Sequence, residues 1–206
     1  MQGGFFITLE GGEGLGKSTN LKFIENWLLD QGKQVIVTRE PGGTPAGEDI
    51  RGVLLKIRDE PLSDEAEVLL MFAARSEHIK KVIRPSLEKG WWVLCDRFTD
   101  ATYAYQGAGR GLNEDRIAYL EHWIQCGLRP DLTLLFDAPV EIGLARTGKR
   151  GDPDRFESED LNFFERVRVA YLKLAARCPD RIRVIDANQS IEAVQTAVQS
   201  ELKKWL

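Results

Sequence analysis

The 206 residues of this chain, 43% of them hydrophobic and 29% charged, are enough to bury one sizeable core without disulfides or metal ions. The 28 basic residues nearly balance the 32 acidic ones, and the net charge of −4 excludes a general field that attracts nucleic acid or an anionic membrane. The three cysteines are far apart and form no CxxC pair, which argues against a zinc or redox site. We expect one domain in a reducing compartment, with any anion-binding site built from a local cluster.

The start of the chain shows no targeting or membrane-spanning pattern. Met1 leads directly into a short apolar run at Phe5, without the basic region and apolar core of a signal peptide. No stretch has the roughly 20 apolar residues that a membrane helix needs. We therefore expect a cytoplasmic protein.

Short β-rich runs alternate with longer helical segments, which is the pattern of a parallel sheet covered on both faces. Five strands are predicted, at residues 5–10, 34–39, 91–96, 131–137 and 181–186. Helices are predicted at residues 17–31, 45–56, 63–89, 113–126, 139–146, 158–177 and 190–205. This order predicts an α/β fold of three layers, α/β/α, around a five-stranded parallel sheet.

Residues 11–18 fit the pattern GxxxxGK[ST] between a predicted strand and a predicted helix. In such a loop, backbone N–H groups surround a phosphate, Lys17 reaches the β- and γ-phosphates, and Ser18 offers a magnesium ligand. A glycine-rich turn that matches by chance is the alternative, and the flanking strand and helix argue against it. The motif indicates a P-loop NTPase-like domain, with predicted ATP contacts at Gly11, Gly12, Glu13, Gly14, Leu15, Gly16, Lys17, Ser18 and Thr19.

A second ionic pair follows the apolar run at residues 92–95. Asp96 and Arg97 stand at the carboxyl end of a predicted central strand, the edge where open α/β sheets bind ligands. Asp96 is suited to orient water on a magnesium ion, and Arg97 to bridge donor and acceptor phosphates. The alternative is a surface pair that closes the strand, although buried strands seldom end in ions without partners.

The long predicted helix at residues 63–89 carries an arginine on its apolar face. A guanidinium in that position needs an anion or a carbonyl as partner. A salt bridge to a carboxylate that the sequence does not reveal is the alternative to ligand binding. The arginine is Arg75, and it shares the face with Val68, Phe72, Ile79 and Val82.

Three polar or aromatic residues downstream share one turn-like face within residues 99–107. Thr102 and Gln106 offer hydrogen bonds to a base edge, and the ring of Tyr105 can pack against a sugar. Arg51 is a further candidate to bind the phosphate of a molecule that accepts the phosphoryl group. The alternative is an arginine that is simply exposed on its helix.

Residues 146–157 combine positive charge with glycine and proline, which is typical of a short mobile lid. Such a segment closes over ATP, excludes water and delivers an arginine to the transferring phosphoryl group. A solvated basic loop is the alternative. The cations of the segment are Arg146, Lys149, Arg150 and Arg155.

Five segments together resemble bacterial thymidylate kinase over essentially the whole chain. They are residues 11–18, 38–45, 96–97, 104–107 and 129–133. The resemblance implies a homodimeric nucleoside monophosphate kinase that makes dTDP from dTMP and ATP with Mg²⁺, in dTTP synthesis for DNA replication. From the charge balance we expect no nucleic-acid or membrane partner.

On the donor side, the resemblance places Lys17 and Ser18 on the ATP phosphates and magnesium, and Glu13 near the metal and the acceptor sugar. The residue after Glu13 is Gly14, whereas some family members have a catalytic arginine inside this loop. The chain therefore resembles the type with its catalytic arginine in the lid, and we assign that role to Arg150. Arg146 is expected to stack on adenine, with the turn after Asp186 at the adenine edge.

On the acceptor side, the resemblance assigns six residues: Arg51 and Arg97 to the phosphate, Arg75 and Thr102 to the thymine edge, Gln106 beside them, and Tyr105 where a ribose 2′-hydroxyl would need space. The aromatic residue that stacks on thymine often lies four positions before the base-reading arginine. This chain has Met71 there, and we expect the neighbouring Phe72 to take the role.

The phosphate of a nucleotide acceptor is largely a dianion at neutral pH, so its phosphorylation needs no general base. A nucleoside kinase, the nearest alternative, would need a carboxylate such as Glu10, Glu13 or Asp96 to take a hydroxyl proton. A nucleotide-dependent switch is the alternative from another class, and the chain has no NKxD guanine motif. The acceptors dTMP and dUMP differ by one methyl group, which is worth only about 1–3 kcal/mol in an apolar pocket.

Overall fold

The computed structural model describes residues 3–147 and 155–206. The strands in these ranges are β1 (Phe5–Gly11), β2 (Val35–Arg39), β3 (Trp92–Asp96), β4 (Leu132–Asp137) and β5 (Ile182–Asp186). They form one parallel sheet in the order β2-β3-β1-β4-β5. Each predicted strand boundary is confirmed to within one residue.

The helices begin and end at residues close to those predicted. They are α1 (Lys17–Asp30), α2 (Pro45–Leu55), α3 (Asp64–His78), α4 (Arg84–Glu88), α5 (Thr99–Thr102), α6 (Glu114–Gln125), α7 (Val140–Thr147), α8 (Leu161–Arg177) and α9 (Ile191–Leu202). Side chains cap several of them, as where Thr44 accepts a hydrogen bond from the Gly47 amide at the start of α2. No helix in the described ranges is long and apolar enough to cross a membrane.

Alternate residues of β1 enter different cores, because successive side chains of a strand point to opposite faces. Ile7 and Leu9 pack in a cluster that includes residues of α1 and α9. Phe6 packs on the other side with Ile79 and Ile83. The central strand is therefore covered on both faces, as the predicted three-layer α/β/α fold requires.

The helical run predicted at residues 63–89 is one run in three parts. A π-helical turn, Ile79–Ile83, separates α3 from α4. Pro85 explains the change in pitch, because proline has no N–H for the helical ladder and its ring collides with the carbonyl four residues earlier.

Residues 99–107 were expected to form a turn-like segment, but the chain is helical from residue 99 to residue 109. After α5 the chain continues as a π-helix, Tyr103–Gly109. Its glycines disfavour a helix locally, but Gly109 lies so close to α8 that an added Cβ would be 2.6 Å from the Phe163 ring. Tertiary packing therefore overrides the local preference in this segment.

Candidate active site

A cavity of about 220 Å³ lies at the carboxyl edge of the sheet. The P-loop, α2, α3, the segment after β3 and residues 156–157 all contribute to its wall. Among the predicted residues, it brings together Glu13, Gly14, Leu15, Gly16, Lys17, Ser18, Arg51, Arg75, Asp96, Arg97, Thr102, Tyr105 and Gln106. Gly11, Gly12, Thr19, Phe72 and Arg146 are outside this wall.

The backbone of the P-loop is hydrogen-bonded to its own lysine and packs against α7. The Nζ of Lys17 donates to the carbonyl oxygens of Gly11 at 3.1 Å and Gly12 at 2.6 Å. Gly14 has φ of 69°, and an added Cβ would lie 2.1 Å from the carbonyl oxygen of Gly143 in α7. Only glycine fits there, because the position combines a left-handed backbone with a backbone contact.

Arg97 has a left-handed backbone with φ of 67°, which is rare for a residue with a side chain. Hydrogen bonds hold the turn on both sides. The Arg97 amide donates to the Leu9 carbonyl at 3.0 Å, and the Phe98 amide donates to Oε1 of Glu10 at 2.7 Å. Tyr171 of α8 donates to the other oxygen of Glu10 at 2.7 Å. The buried carboxyl of Glu10 therefore supports the turn that presents Arg97.

The guanidinium of Arg97 is held by four groups. Nη2 donates to Oε1 of Glu13 at 2.5 Å and to the hydroxyl of Tyr105 at 2.9 Å. Nη1 donates to the Gly11 carbonyl at 2.9 Å and to the hydroxyl of Tyr171 at 3.2 Å. Arg97 thus enters the cavity in one orientation, beside the P-loop.

Burial and charge shift the titration of three groups at this junction. Burial raises the pKa of Glu13, but the positive charges of Arg97 and Lys17 outweigh it and lower that pKa to about 2. Burial, with the nearby carboxylate of Asp100, raises the pKa of Glu10 to about 8. Burial and the charge of Arg97 lower the pKa of Lys17. Glu13 is therefore negatively charged at neutral pH, close to the positive charges of Arg97 and Lys17.

Arg75 has the carboxylate partner that the sequence did not reveal. Its Nε donates to Glu40 at 2.7 Å and its Nη2 to the Thr102 hydroxyl at 3.1 Å. His78 of α3 is buried and hydrogen-bonded through Nδ1 to Glu40 at 2.9 Å and through Nε2 to Thr38 at 2.6 Å. Burial raises the pKa of Glu40, and the charge of Arg75 lowers it below its usual range.

One nitrogen of Arg75 remains for another partner. Its Nη1 is buried and has no hydrogen-bond partner in the described part of the chain. A buried donor without a partner is costly, so such an atom in a cavity wall marks a place where a ligand binds. The salt bridge and the ligand contact are therefore compatible, since Glu40 engages only Nε.

Gln106 is tied to α3 through a buried glutamate. Its Nε2 donates to Oε1 of Glu67 at 2.7 Å. The same carboxylate accepts hydrogen bonds from Arg155 and, at 3.5 Å, from Nε of Arg110. Arg155 also donates to the Leu54 carbonyl at 2.9 Å. Arg155 is therefore docked against the domain rather than solvated.

Arg51 of α2 lies in the cavity wall, so the alternative of an exposed helical arginine does not describe it. Its Nη1 donates to the Pro41 carbonyl at 3.0 Å. This contact holds the guanidinium near the loop after β2.

Ser18 and Asp96 line the cavity together and also share an adjoining groove beside β2. Oδ1 of Asp96 is buried and has no partner among the residues described. No group of three or more His, Cys, Asp or Glu side chains in these residues forms a complete metal cage. The pair fits Mg²⁺ held with a nucleotide, because Mg²⁺ in such sites takes few protein ligands beside phosphates and water.

Arg146, at the end of α7, lies outside the main cavity. Its Nη1 donates at 3.2 Å to the carbonyl of Ala187, directly after β5. The turn there is closed by Asp186, which accepts from the Asn188 amide at 2.9 Å. The two segments predicted to contact adenine are therefore neighbours. The predicted catalytic Arg150, with most of the predicted lid, lies outside the described residues.

Comparison with known proteins assigns the family. A family model described as thymidylate kinase matches residues 9–198. The chain belongs to the thymidylate kinase family. The thymidylate kinase of Ectopseudomonas mendocina is 57% identical over 203 residues, 98% of this chain and 97% of the relative. That of Alkalilimnicola ehrlichii is 58% identical over 211 aligned positions, 100% of this chain and 97% of the relative.

A solved structure agrees with the fold. The crystal structure of thymidylate kinase from Ehrlichia chaffeensis superposes with a TM-score of 0.78 at 33% identity, covering 97% of this chain and 99% of the other. The predicted family and the predicted five-stranded parallel α/β fold are both confirmed.

The structure corrects the placement of Phe72 in this member of the thymidylate kinase family. Phe72 is buried with Val68 and Ile117, and its ring lies 4.7 Å below the guanidinium carbon of Arg75. Met71 lines the cavity instead. Neighbouring positions on a helix point about 100° apart, so the two side chains serve different surfaces.

Sequence reasoning missed four residues that support this thymidylate kinase site: Glu40, Glu67, Gly143 and Tyr171. For Glu40 a signal existed, because it follows β2 at the same sheet edge as Asp96. The other three lie inside helices, where nothing in the sequence distinguishes them from ordinary helical residues.

Proposed function

We propose that this chain transfers the γ-phosphoryl group of ATP to dTMP in the cytoplasm, giving dTDP and ADP. One observation carries the proposal. A single cavity contains the P-loop lysine Lys17 and two base-reading groups, the free Nη1 of Arg75 and the amide of Gln106. Its size and polarity suit a nucleotide whose phosphate faces the P-loop.

The proposed chemistry is the alignment of two polyanions with neutralisation of charge as it moves. Lys17 binds the phosphates of ATP, and Arg97 and Arg51 bind the phosphate of dTMP. The strained backbone of Arg97 and the bonds to its guanidinium keep its charge fixed before the substrates arrive, which is the preorganisation that favours a charged transition state. The carboxylate of Glu13 orients Arg97 and Tyr105.

Ser18 and Asp96 would hold Mg²⁺, with Asp96 acting through ordered water. When bound, the ion supplies positive charge to the β- and γ-phosphates of ATP. The buried, unpartnered Oδ1 of Asp96 supports this assignment.

Thymine is proposed to lie against the part of the cavity wall formed by Arg75, Thr102 and Gln106, which we call the acceptor wall. Arg75 and Gln106 read its polar edge, Thr102 holds Arg75, and Tyr105 occupies the space that a ribose 2′-hydroxyl would need. We assign the apolar contact to Met71 in place of Phe72, because Met71 is the one in the cavity wall. Methionine packs well against flat aromatic rings.

On the donor side, we propose that Arg146 stacks on adenine while the turn after Asp186 meets its edge. The hydrogen bond between Arg146 and Ala187 supports this pairing. The catalytic role of Arg150, a contact with the transferring phosphoryl group, remains a prediction from the sequence. A single domain with a lid at residues 146–157 remains a prediction as well.

A nucleoside kinase is the competing function, and it needs a carboxylate base for a hydroxyl acceptor. Glu13 is a poor candidate, because a carboxylate with a pKa near 2 has little affinity for a proton at neutral pH. Both oxygens of Glu10 are already engaged, one by the Phe98 amide and one by Tyr171. These two observations favour a phosphate acceptor.

We also propose a homodimer. Three large apolar side chains are exposed on neighbouring helices: Leu69 on α3 is 55% exposed, and Tyr119 and Trp123 on α6 are 71% and 64% exposed. Tyr119 and Trp123 are four residues apart and share one helix face. A second copy of the chain would cover this patch, since monomers rarely leave several large apolar groups exposed together.

Analytical ultracentrifugation tests the dimer. The wild-type chain should sediment as a dimer, and the variant Trp123→Glu should sediment as a monomer. A wild-type monomer at micromolar concentration would contradict the proposed dimer.

A coupled assay of ADP release with ATP and Mg²⁺ tests the function directly. The acceptors are dTMP, dUMP, dCMP, UMP, AMP, GMP and thymidine at equal concentration. We expect the highest kcat/KM with dTMP. Turnover of thymidine alone would support the nucleoside kinase, and ADP release indifferent to every acceptor would support a nucleotide-dependent switch.

A further inference from the structure

The side-chain amide of Gln106 has a donor end and an acceptor end, and Glu67 determines which of them faces the cavity. Glu67 is fully buried and accepts hydrogen bonds from Gln106, Arg155 and Arg110. A carboxylate surrounded by two guanidinium groups offers acceptor oxygens only. Only the Nε2 end of the Gln106 amide can donate a hydrogen bond, so Nε2 must face Glu67.

The carbonyl end of Gln106 is the end that remains for a ligand. None of residues 3–147 and 155–206 donates a hydrogen bond to its Oε1, and Gln106 lines the cavity. On the same wall, Arg75 has its unpartnered donor Nη1. The wall thus presents one free acceptor and one free donor.

This pair matches one kind of pyrimidine edge. The imide edge of thymine or uracil has a carbonyl oxygen beside an N–H, so it accepts from Arg75 and donates to Gln106. Cytosine has the reverse order, an amino group beside an unprotonated ring nitrogen. In this wall cytosine would set donor against donor and acceptor against acceptor, leaving buried polar groups unpaired.

We propose that Glu67 is a specificity-determining positioning residue, which holds the carbonyl of Gln106 toward the acceptor base and thereby selects an imide pyrimidine over cytosine. The inference rests on the proposed function, in which this cavity binds a pyrimidine nucleoside monophosphate. Glu67 acts through Gln106 and does not touch the base.

The test compares kcat/KM for dTMP, dUMP and dCMP in the wild type and in Glu67→Gln. Glutamine at position 67 can donate as well as accept a hydrogen bond. The side-chain amide of Gln106 can then rotate by about 180° and present either end to the cavity. We expect the dTMP/dCMP ratio to fall by at least about tenfold, mainly through a higher KM for dTMP. The dTMP/dUMP ratio should change by less than about twofold, because both bases are imides that differ by one methyl group.

Arg155→Ala is the matched control. It removes a different partner of the same carboxylate and leaves the bond between Gln106 and Glu67 in place. It should lower overall activity or thermal stability while keeping the dTMP/dCMP ratio within about twofold of the wild type. Equal loss of the ratio in both variants would show general loosening of the cavity and overturn the proposal.

The exchange Glu67→Gln with Gln106→Glu provides a second, independent variant. The amide at position 67 would donate to the carboxylate at position 106, which again presents an acceptor oxygen to the base. Preference for dTMP over dCMP should return to within about threefold of the wild type. If Glu67→Gln does not fold, the double variant alone tests the proposal. A folded double variant that does not prefer dTMP over dCMP overturns the proposal.

Failure of the inference is separable from failure of the proposed function. A folded Glu67→Gln with an unchanged dTMP/dCMP ratio overturns the role of Glu67, while wild-type turnover of dTMP leaves the proposed function intact. Absence of wild-type turnover with dTMP would overturn the function and the inference together.

Discussion

The donor loop and the acceptor wall of this cavity are built in different ways. The donor loop is a contiguous segment, residues 11–18, whose shape depends on glycine backbones and one lysine. The acceptor wall joins side chains from separate elements: Glu40 after β2, Arg75 in α3, Thr102 in α5 and Gln106 in the π-helix that follows. Phosphate recognition is thus local and backbone-based, whereas base recognition depends on buried side-chain pairs. Added bulk should therefore damage the first region, and altered donors and acceptors the second.

The largest effect is expected from Lys17→Met in the donor loop. Loss of the P-loop cation that we assign to the ATP phosphates should lower kcat by about 10³-fold. Thermal stability should stay within a few degrees, because the variant removes a buried charge whose pKa is already lowered by burial. The matched control is Lys22→Met, an exposed lysine of α1 paired with Glu25, which should retain full activity. A Lys17→Met enzyme within tenfold of the wild type would contradict this assignment.

The backbone character of the donor loop is tested by two alanines. Gly14→Ala combines a left-handed backbone with a Cβ only 2.1 Å from the Gly143 carbonyl, whereas a Cβ at Gly12 meets only Leu15, at 3.7 Å. We expect Gly14→Ala to lower kcat/KM for ATP by about 100-fold and Tm by several degrees. Gly12→Ala should leave Tm nearly unchanged in the same thermal scan. Similar Tm losses in both variants would refute the steric argument.

The acceptor wall should respond to a change of hydrogen-bonding geometry without a change of charge. In Arg75→Lys the compact ammonium lacks the planar fork whose separate nitrogens contact Glu40 and Thr102 and leave Nη1 for a base. We expect KM for dTMP to rise at least about tenfold while KM for ATP stays within twofold. Arg116→Lys, on the exposed face of α6, is the control and should change neither constant. Equal rises in both KM values would show that the two regions are not separable.

The smallest expected effect is a difference in pH dependence between two carboxyls three residues apart. The pKa of Glu10 is raised from 4.5 to about 8, so its contribution to stability is complete below pH 4.5 and is lost as pH rises to 8. The pKa of Glu13 is lowered to about 2, so its contribution is present above pH 4.5 and is lost as pH falls toward 2.

Urea unfolding from pH 3 to pH 9 measures this difference. Relative to the wild type, Glu10→Gln should gain stability as pH rises from 4.5 to 8. Glu13→Gln should lose relative stability as pH rises from 3 to 5, because it lacks the favourable carboxylate. Slopes of the same sign in the two variants would contradict the opposite environments that the structure assigns to them.

Much of the architecture was predictable because it depends on short-range patterns. Short β-rich runs between longer helical segments located β1 to β5 within one residue. The rule that ligands bind at the carboxyl edge of a parallel sheet correctly joined the P-loop with Asp96 and Arg97. The helix at residues 99–109 was not predictable in the same way, because its glycines disfavour helix locally and packing against Phe163 supports it.

Pairings between distant side chains were also beyond the sequence. Glu40 meets Arg75 across 35 positions, and Tyr171 meets Glu10 across 161. Each pair consists of residue types that occur several times in the chain, so no pattern indicates which members meet. The choice between Met71 and Phe72 was beyond the sequence for a related reason, because packing against distant residues such as Ile117 determines which of the two is buried.

The sequence by itself determined the strand–helix order, the phosphate loop and the family. Each of these depends on short contiguous segments, in which residue type and spacing determine the local structure. The tertiary structure decided the polarity of the acceptor wall. Which nitrogen of Arg75 stays free and which end of Gln106 faces the cavity depend on two buried carboxylates, Glu40 and Glu67, brought from elsewhere in the chain. Buried polar atoms must find partners, and only the folded chain determines which atoms are left for the ligand.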